Sequence, residues 1–190
     1  MKKLFMVPLV LIALNQMNAQ AHIDIEADGN LDSPHPLACV ALSEVTNEDN
    51  PADILHGLQK CLESKEYKKA AQLFAISGVY GKYDALRVKD KSAHQALLVL
   101  QQNIFLNLAE SETTTFMKYL QEELKAGSTN LNEICDAIQK IGAPKYFPKY
   151  MIQHGMQAFL DKKDDGLVKE FDSQVSWNLV RNSYLHCGAQ

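Results

Sequence analysis

Four cysteines, Cys39, Cys61, Cys135 and Cys187, constrain this chain more than any other feature, because the residues ahead of them read as an export signal. Lys2 and Lys3 form a short positive n-region, residues 4–14 are apolar apart from Pro8, and Ala19-Gln20-Ala21 supplies the small-x-small pattern of a signal peptidase site. The apolar run is too short for a bilayer, which needs roughly 20 residues. Residues 1–21 are therefore expected to be a cleavable secretory signal of the bacterial kind, placing the mature chain in the periplasm or outside the cell. An even number of cysteines in an exported chain implies two disulfides. Of the three pairings, Cys39–Cys61 with Cys135–Cys187 is preferred because each closes the shorter loop. The spacing does not suit zinc, since neither a C-x2-C nor an H-x3-H pair occurs.

Cleavage leaves about 169 residues, enough for one domain with its own core. The leader carries away two lysines and no acid, so the formal charge moves from −4 to about −6. Charges of both signs alternate and no basic block occurs, which argues against nucleic acid as a partner. No later segment is long and apolar enough to span a membrane, so no stable span is expected after cleavage.

Residues 22–50 read as an irregular arm, rich in turn formers and pinned by Cys39. From residue 51 to 190 the apolar spacing is helical. Asn50, Pro51 and Asp53 make a helix start, and Ile54, Leu55, Leu58, Cys61 and Leu62 one stripe. Ser64 is expected to cap a second helix ending at Gly78 and Gly81; residues 79–91 read as turn-rich, though Ala85 to Val88 could add a helical turn. Ser92 would cap a third helix. Its apolar residues, among them Leu97, Leu98 and Leu100, cover nearly the full circumference, which predicts a central position. Residues 113–125, a segment capped by Asn130 or Asn132, a segment from Pro148 through Phe159, and a last one from Asp172 complete the set. No alternating strand appears. The expected fold class is all-α: a single domain of about six or seven antiparallel-packed helices behind the N-terminal arm.

Residues 51–77 carry Cys61-Leu62 on one helix and Tyr67, Ala70 and Phe74 on the next. In this they resemble a single degenerate tetratricopeptide unit, in which a small residue lets two helices close and aromatic residues fill the groove beside it. Gly57-Leu58 stands in the reverse of the family's order, Ser77 replaces the second small Ala, and no second copy follows at a 34-residue spacing. The resemblance implies a helical hairpin and favours protein binding.

No G-x-S-x-G, H-E-x-x-H, Walker or C-x-x-C signature occurs, so no cofactor or metal site is expected. The richest polar stretch holds Tyr80, Tyr83, Asp84, Arg87 and His94. On a loop, two rigid phenols and a forked guanidinium would make a binding surface; the plainer alternative is a loop held by an Asp84–Arg87 pair with His94 packing or capping. Tyr150 and His154 lie in a second candidate stretch dense in aromatics and methionine, where His154 could serve as ligand or general base. A newly exposed His22 could also chelate copper. The expected role is a non-catalytic protein-binding module, for example an inhibitor or immunity protein against an envelope-targeting toxin or hydrolase. The alternatives are an envelope hydrolase using His94 or His154, or a small-ligand or metal carrier.

Overall fold

The longest helix runs unbroken through both glycines that the sequence marks as helix ends. The computed structural model describes residues 26–160 and 164–188; the expected leader, its cleavage site and the copper-binding reading of His22 lie outside the described residues. Among the described residues seven α-helices follow one another: α1 Pro51–Glu63, α2 Tyr67–Arg87, α3 Ala96–Phe105, α4 Glu110–Glu123, α5 Thr129–Ile141, α6 Lys149–Ile152 and α7 Ser173–Tyr184, with short 3-10 turns at Leu42–Glu44, Lys91–Gln95 and Met156–Phe159. Among the described residues the only strand-like pairing is an isolated bridge between Val88 and Leu167. The molecule is an all-α single domain.

Helix α1 begins where its residues direct. The Asn50 side chain accepts from the backbone N–H groups of Ala52 and Asp53, and the Asp53 carboxylate accepts from the Asn50 N–H, so reciprocal bonds satisfy otherwise orphaned donors. The buried Asp53 carboxylate also accepts from Ser33 Oγ at 2.7 Å and the His35 N–H at 2.8 Å, tying the arm to the helix start. A disulfide between Cys39 and Cys61 fixes the arm a second time. Ser64 closes α1 rather than opening α2. Lys65 takes the left-handed conformation (φ 60°), the Glu66 N–H reaches the Cys61 carbonyl and the Lys65 N–H that of Leu62. This double closure tightens the turn between α1 and α2.

Helix α2 is the central element. It packs on α1, α4, α5 and α7, and Leu73, Ala75, Ile76, Val79 and Tyr80 are completely buried. Its glycines are sites of close approach: a β-carbon at Gly78 would meet the Tyr184 ring, and one at Gly81 would lie 2.7 Å from Leu97 Cδ2. Tertiary packing therefore overrides the weak helix propensity of glycine. The expectation of a central third helix is corrected accordingly. α3 buries only Ala96 and Leu97, Leu98 is 51% exposed, and the segment starts with a 3-10 turn capped by Asp90 instead of Ser92. Three further boundaries shift. α5 is capped by Ser128, α4 begins at Glu110, and the segment from Pro148 breaks into α6 and a 3-10 turn at Gly155. A β-carbon on Gly155 would meet Asp90 and Ala93, so this glycine also marks a close contact. Asp172 caps α7 through the Val175 N–H, in agreement with the sequence. A second disulfide, Cys135–Cys187, ties the end of α7 to α5. Both pairings match the preferred ones, and two disulfides fit a chain that matures in an oxidising compartment.

Candidate functional site

Because α2 continues to Arg87, its polar residues occupy successive turns of one helix instead of a loop. Tyr80, Tyr83 and Asp84 are buried, and so is Tyr150 of α6. This corrects the reading of these four as an exposed binding surface. Asp84 is fully buried and its carboxylate is saturated by donors. Oδ1 accepts from Arg87 Nε at 2.8 Å and lies 2.7 Å from Arg87 Nη2, while Oδ2 accepts from the hydroxyls of Tyr146 and Tyr150, each at 2.9 Å. Arg87 Nη2 also donates to the Tyr146 carbonyl, and its guanidinium carbon sits 5.2 Å and 5.1 Å from the ring centres of Tyr83 and Tyr146.

The electrostatics describe a locked connector. Burial pushes the Asp84 carboxyl up, opposed by the Arg87 charge and the phenol hydrogen bonds. Burial and the neighbouring Asp84 charge hold the Tyr146 and Tyr150 phenols far above their ordinary range, so both donate at neutral pH. Tyr80, raised by burial first, donates to the Gly142 carbonyl and packs against Tyr146 and Trp177. Tyr83 shares a hydrogen bond with Ser173, the first residue of α7, and packs edge-on against Phe171 and Trp177. The cluster thus joins α2, the 142–150 segment and α7. Asp84 and Arg87 do pair, as the plainer alternative requires, but within a helix.

The two histidines stand apart from this cluster. His94, half-buried, is bonded through Nε2 to the Val88 carbonyl at 2.9 Å, which requires that nitrogen to carry the proton. His154, also half-buried, bonds through Nδ1 to Asn30 Oδ1 at 2.9 Å; burial pulls its pKa down, with Glu26 opposing. The hydrogen-bond partner of each ring is an oxygen of a carbonyl or amide. An imidazole oriented by a carboxylate, the arrangement that a histidine hydrolase would use, is therefore not what these bonds provide. Among the described residues no cluster of three or more His, Cys, Asp or Glu is placed to hold a metal ion, and no helix is long and apolar enough to cross a membrane.

His94 does line a concave surface. A groove of about 490 Å3 runs between the C-terminal half of α2 and α7, bordered by Lys82, Ala85, Leu86, His94, Leu179, Val180, Ser183 and Tyr184. Its lining is mainly apolar. Leu86 is 41% and Leu179 53% exposed, and Val175, one turn before Leu179 on α7, is 62% exposed. The floor near Gly78 is closed by Tyr184, whose phenol is raised by burial. Val175 and Leu179 share one edge of α7, and that edge faces solvent. The signal for it is helical angle: at about 100° per residue, Val175 and Leu179 fall on roughly the opposite side of the helix from Trp177 and Val180, which are buried. Lys82 and Leu86, four residues apart, share one edge of α2, a relation that the glycines at 78 and 81 mask in the sequence. Phe147, Met156, Phe159 and Leu160 are also exposed, and Phe147 and Leu160 border a separate cavity with Ile152. Comparison of the chain with family models, with curated proteins and with solved structures finds no match to any of them.

Proposed function

We propose that this chain is a non-catalytic protein-binding module that works in the periplasm or outside the cell, with the groove between α2 and α7 as its partner-facing surface. The observation that carries the reading is the exposure of Leu86 and Leu179 on the two sides of one apolar groove. Apolar side chains gathered on a concave surface mark interaction sites more often than scattered ones do. The rest of the molecule suits a rigid platform: two disulfides and the Asp84 cluster fasten the arm, α5, α6 and α7 around α2. The tightly packed α1–α2 hairpin is in keeping with the tetratricopeptide-like residues within it, a motif usually devoted to binding proteins. A module of this size, exported and oxidised, fits an inhibitor or immunity protein acting on a toxin or hydrolase of the envelope.

Two measurements test the reading. Mass spectrometry of the secreted or periplasmic product should find residue 20 or 22 at its N-terminus and all four cysteines oxidised; an intact, reduced cytosolic product overturns it. The oxidised chain should capture a protein from the extracytoplasmic fraction, and the Leu86→Ser/Leu179→Ser double variant should lose that protein while melting at the same temperature. Undiminished capture by the double variant removes the groove from consideration.

A further inference from the structure

We infer that the occupant of the α2–α7 groove is an amphipathic helix of a partner protein that presents a carboxylate to Lys82. The inference rests on the binding role proposed above and deepens it.

The shape of the groove comes from its two walls. On α2, Lys82 and Leu86 are one turn apart; on α7, Leu179 and Ser183 are one turn apart, with exposed Val175 one turn before them on the same edge. Side chains four apart form ridges on a helix surface, and two such ridges side by side leave a trough that a third helix fills. From Leu179 to Ser183 the wall rises about 6 Å, and exposed Val175 continues the same edge of α7 by one more turn, so the face offers roughly two turns to a docked helix. Strand addition needs the unpaired backbone of a sheet edge, and both walls here are helical. Apolar residues at i, i+3 or i+4 and i+7 of the guest would sit between Leu86 and Leu179.

Charge then selects among such helices. The sequence has 23 acids against 19 lysines and arginines, yet among the described residues no acid lines this groove, and the one formal charge there is the exposed Lys82 at the rim. A basic amphipathic helix would meet that ammonium unfavourably. A helix with Asp or Glu on the edge facing α2 would gain an ion pair at the margin of an apolar contact, where charge sets specificity and encounter rate.

The test pans the full oxidised protein against a phage-displayed library of 16-residue amphipathic helices with a fixed apolar face and randomised polar edges. Enriched helices should carry Asp or Glu at one edge position. Against the Lys82→Glu variant the same position should turn to Lys or Arg, and the peptide first selected should bind about tenfold more weakly, the change that 1.4 kcal/mol brings. Binding should be lost in the Leu86→Ser/Leu179→Ser variant, with circular dichroism melts confirming that both variants fold. Groove-dependent helices without acidic preference would overturn the carboxylate assignment while leaving the groove as the binding surface. Absence of any groove-dependent enrichment would overturn both. Self-association in sedimentation that Leu179→Ser abolishes would instead assign the groove to a second copy of this chain.

Discussion

The ring of Tyr184 on α7 rests against Gly78 of α2, in the space that any β-carbon at position 78 would take. Glycine inside a helix ordinarily costs about 1 kcal/mol relative to alanine, so Gly78→Ala would stabilise the chain if the position were merely helical. Here the new methyl must push Tyr184 and with it the α2–α7 contact, an overpacking that costs about 1–3 kcal/mol. Urea denaturation should show a net loss of stability for Gly78→Ala. A gain would mean that the contact yields without effect.

The buried carboxylate of Asp84 pairs with Arg87, whose side chain is 12% exposed. Asp84→Asn keeps the shape but leaves the guanidinium uncompensated and turns an amide N–H2 toward the phenols. Removal of one member of such a pair costs about 3–5 kcal/mol. Arg87→Met should cost a comparable amount, and the double variant less than the two together, because the singles each strand one charge. Strict additivity in chemical denaturation would show that the two groups are not coupled.

Elements fixed by local chemistry were legible in the sequence. Asn50, Pro51 and Asp53 start α1, Asp172 starts α7, and the cysteine pairs close as loop length favours. What escaped was decided by distant contacts. Gly78 and Gly81 read as helix ends because their partners, Tyr184 and Leu97, are remote or separated by a turn. That error moved Tyr80, Tyr83, Asp84 and Arg87 onto a loop, although their spacing of three and four is itself a helical stripe. The apolar residues of 93–108 cover nearly the full helical circumference, which points to burial, yet α3 lies at the margin, with Leu98, and Leu106 just past its end, facing solvent. A single sequence shows which residues are apolar and not which of them find a neighbour.

Helix centrality can be measured directly. Leu73 on α2 is completely buried and Leu98 on α3 is half exposed. Leu73→Ala should cost about 2–5 kcal/mol, the range for a cavity in a packed core. Leu98→Ala should cost about 0.5 kcal/mol or less, as surface substitutions do. Equal losses would restore α3 to the centre of the fold.

The two disulfides should contribute unequally. Cys39 and Cys61 are 22 residues apart in sequence and Cys135 and Cys187 are 52 apart. Chain-entropy arguments give about 3 kcal/mol for the first and about 4 kcal/mol for the second. The longer closure also anchors α7, one wall of the groove. The Cys135→Ser/Cys187→Ser variant should therefore melt lower than the Cys39→Ser/Cys61→Ser variant. It should also show faster backbone exchange in α7. The reverse order of melting temperatures would show that the arm, rather than α7, limits stability.

His154 gives the arm a dependence on pH. Burial lowers its pKa below the ordinary 6.5, with Glu26 opposing, and its ring meets Asn30 of the arm. A base whose folded-state pKa is depressed is neutral in the fold while the unfolded chain already takes up a proton. Its contribution is complete above about pH 6.5 and declines as the pH falls through the folded value. His154→Gln keeps a group able to hydrogen-bond Asn30 and removes the titration. Between pH 7 and pH 5 the variant should lose less stability than the parent chain, with the other histidines contributing equally to both. Matching slopes for the two proteins, measured by urea denaturation at closely spaced pH values, would show that the His154 ring is protonated as readily in the fold as in the unfolded chain.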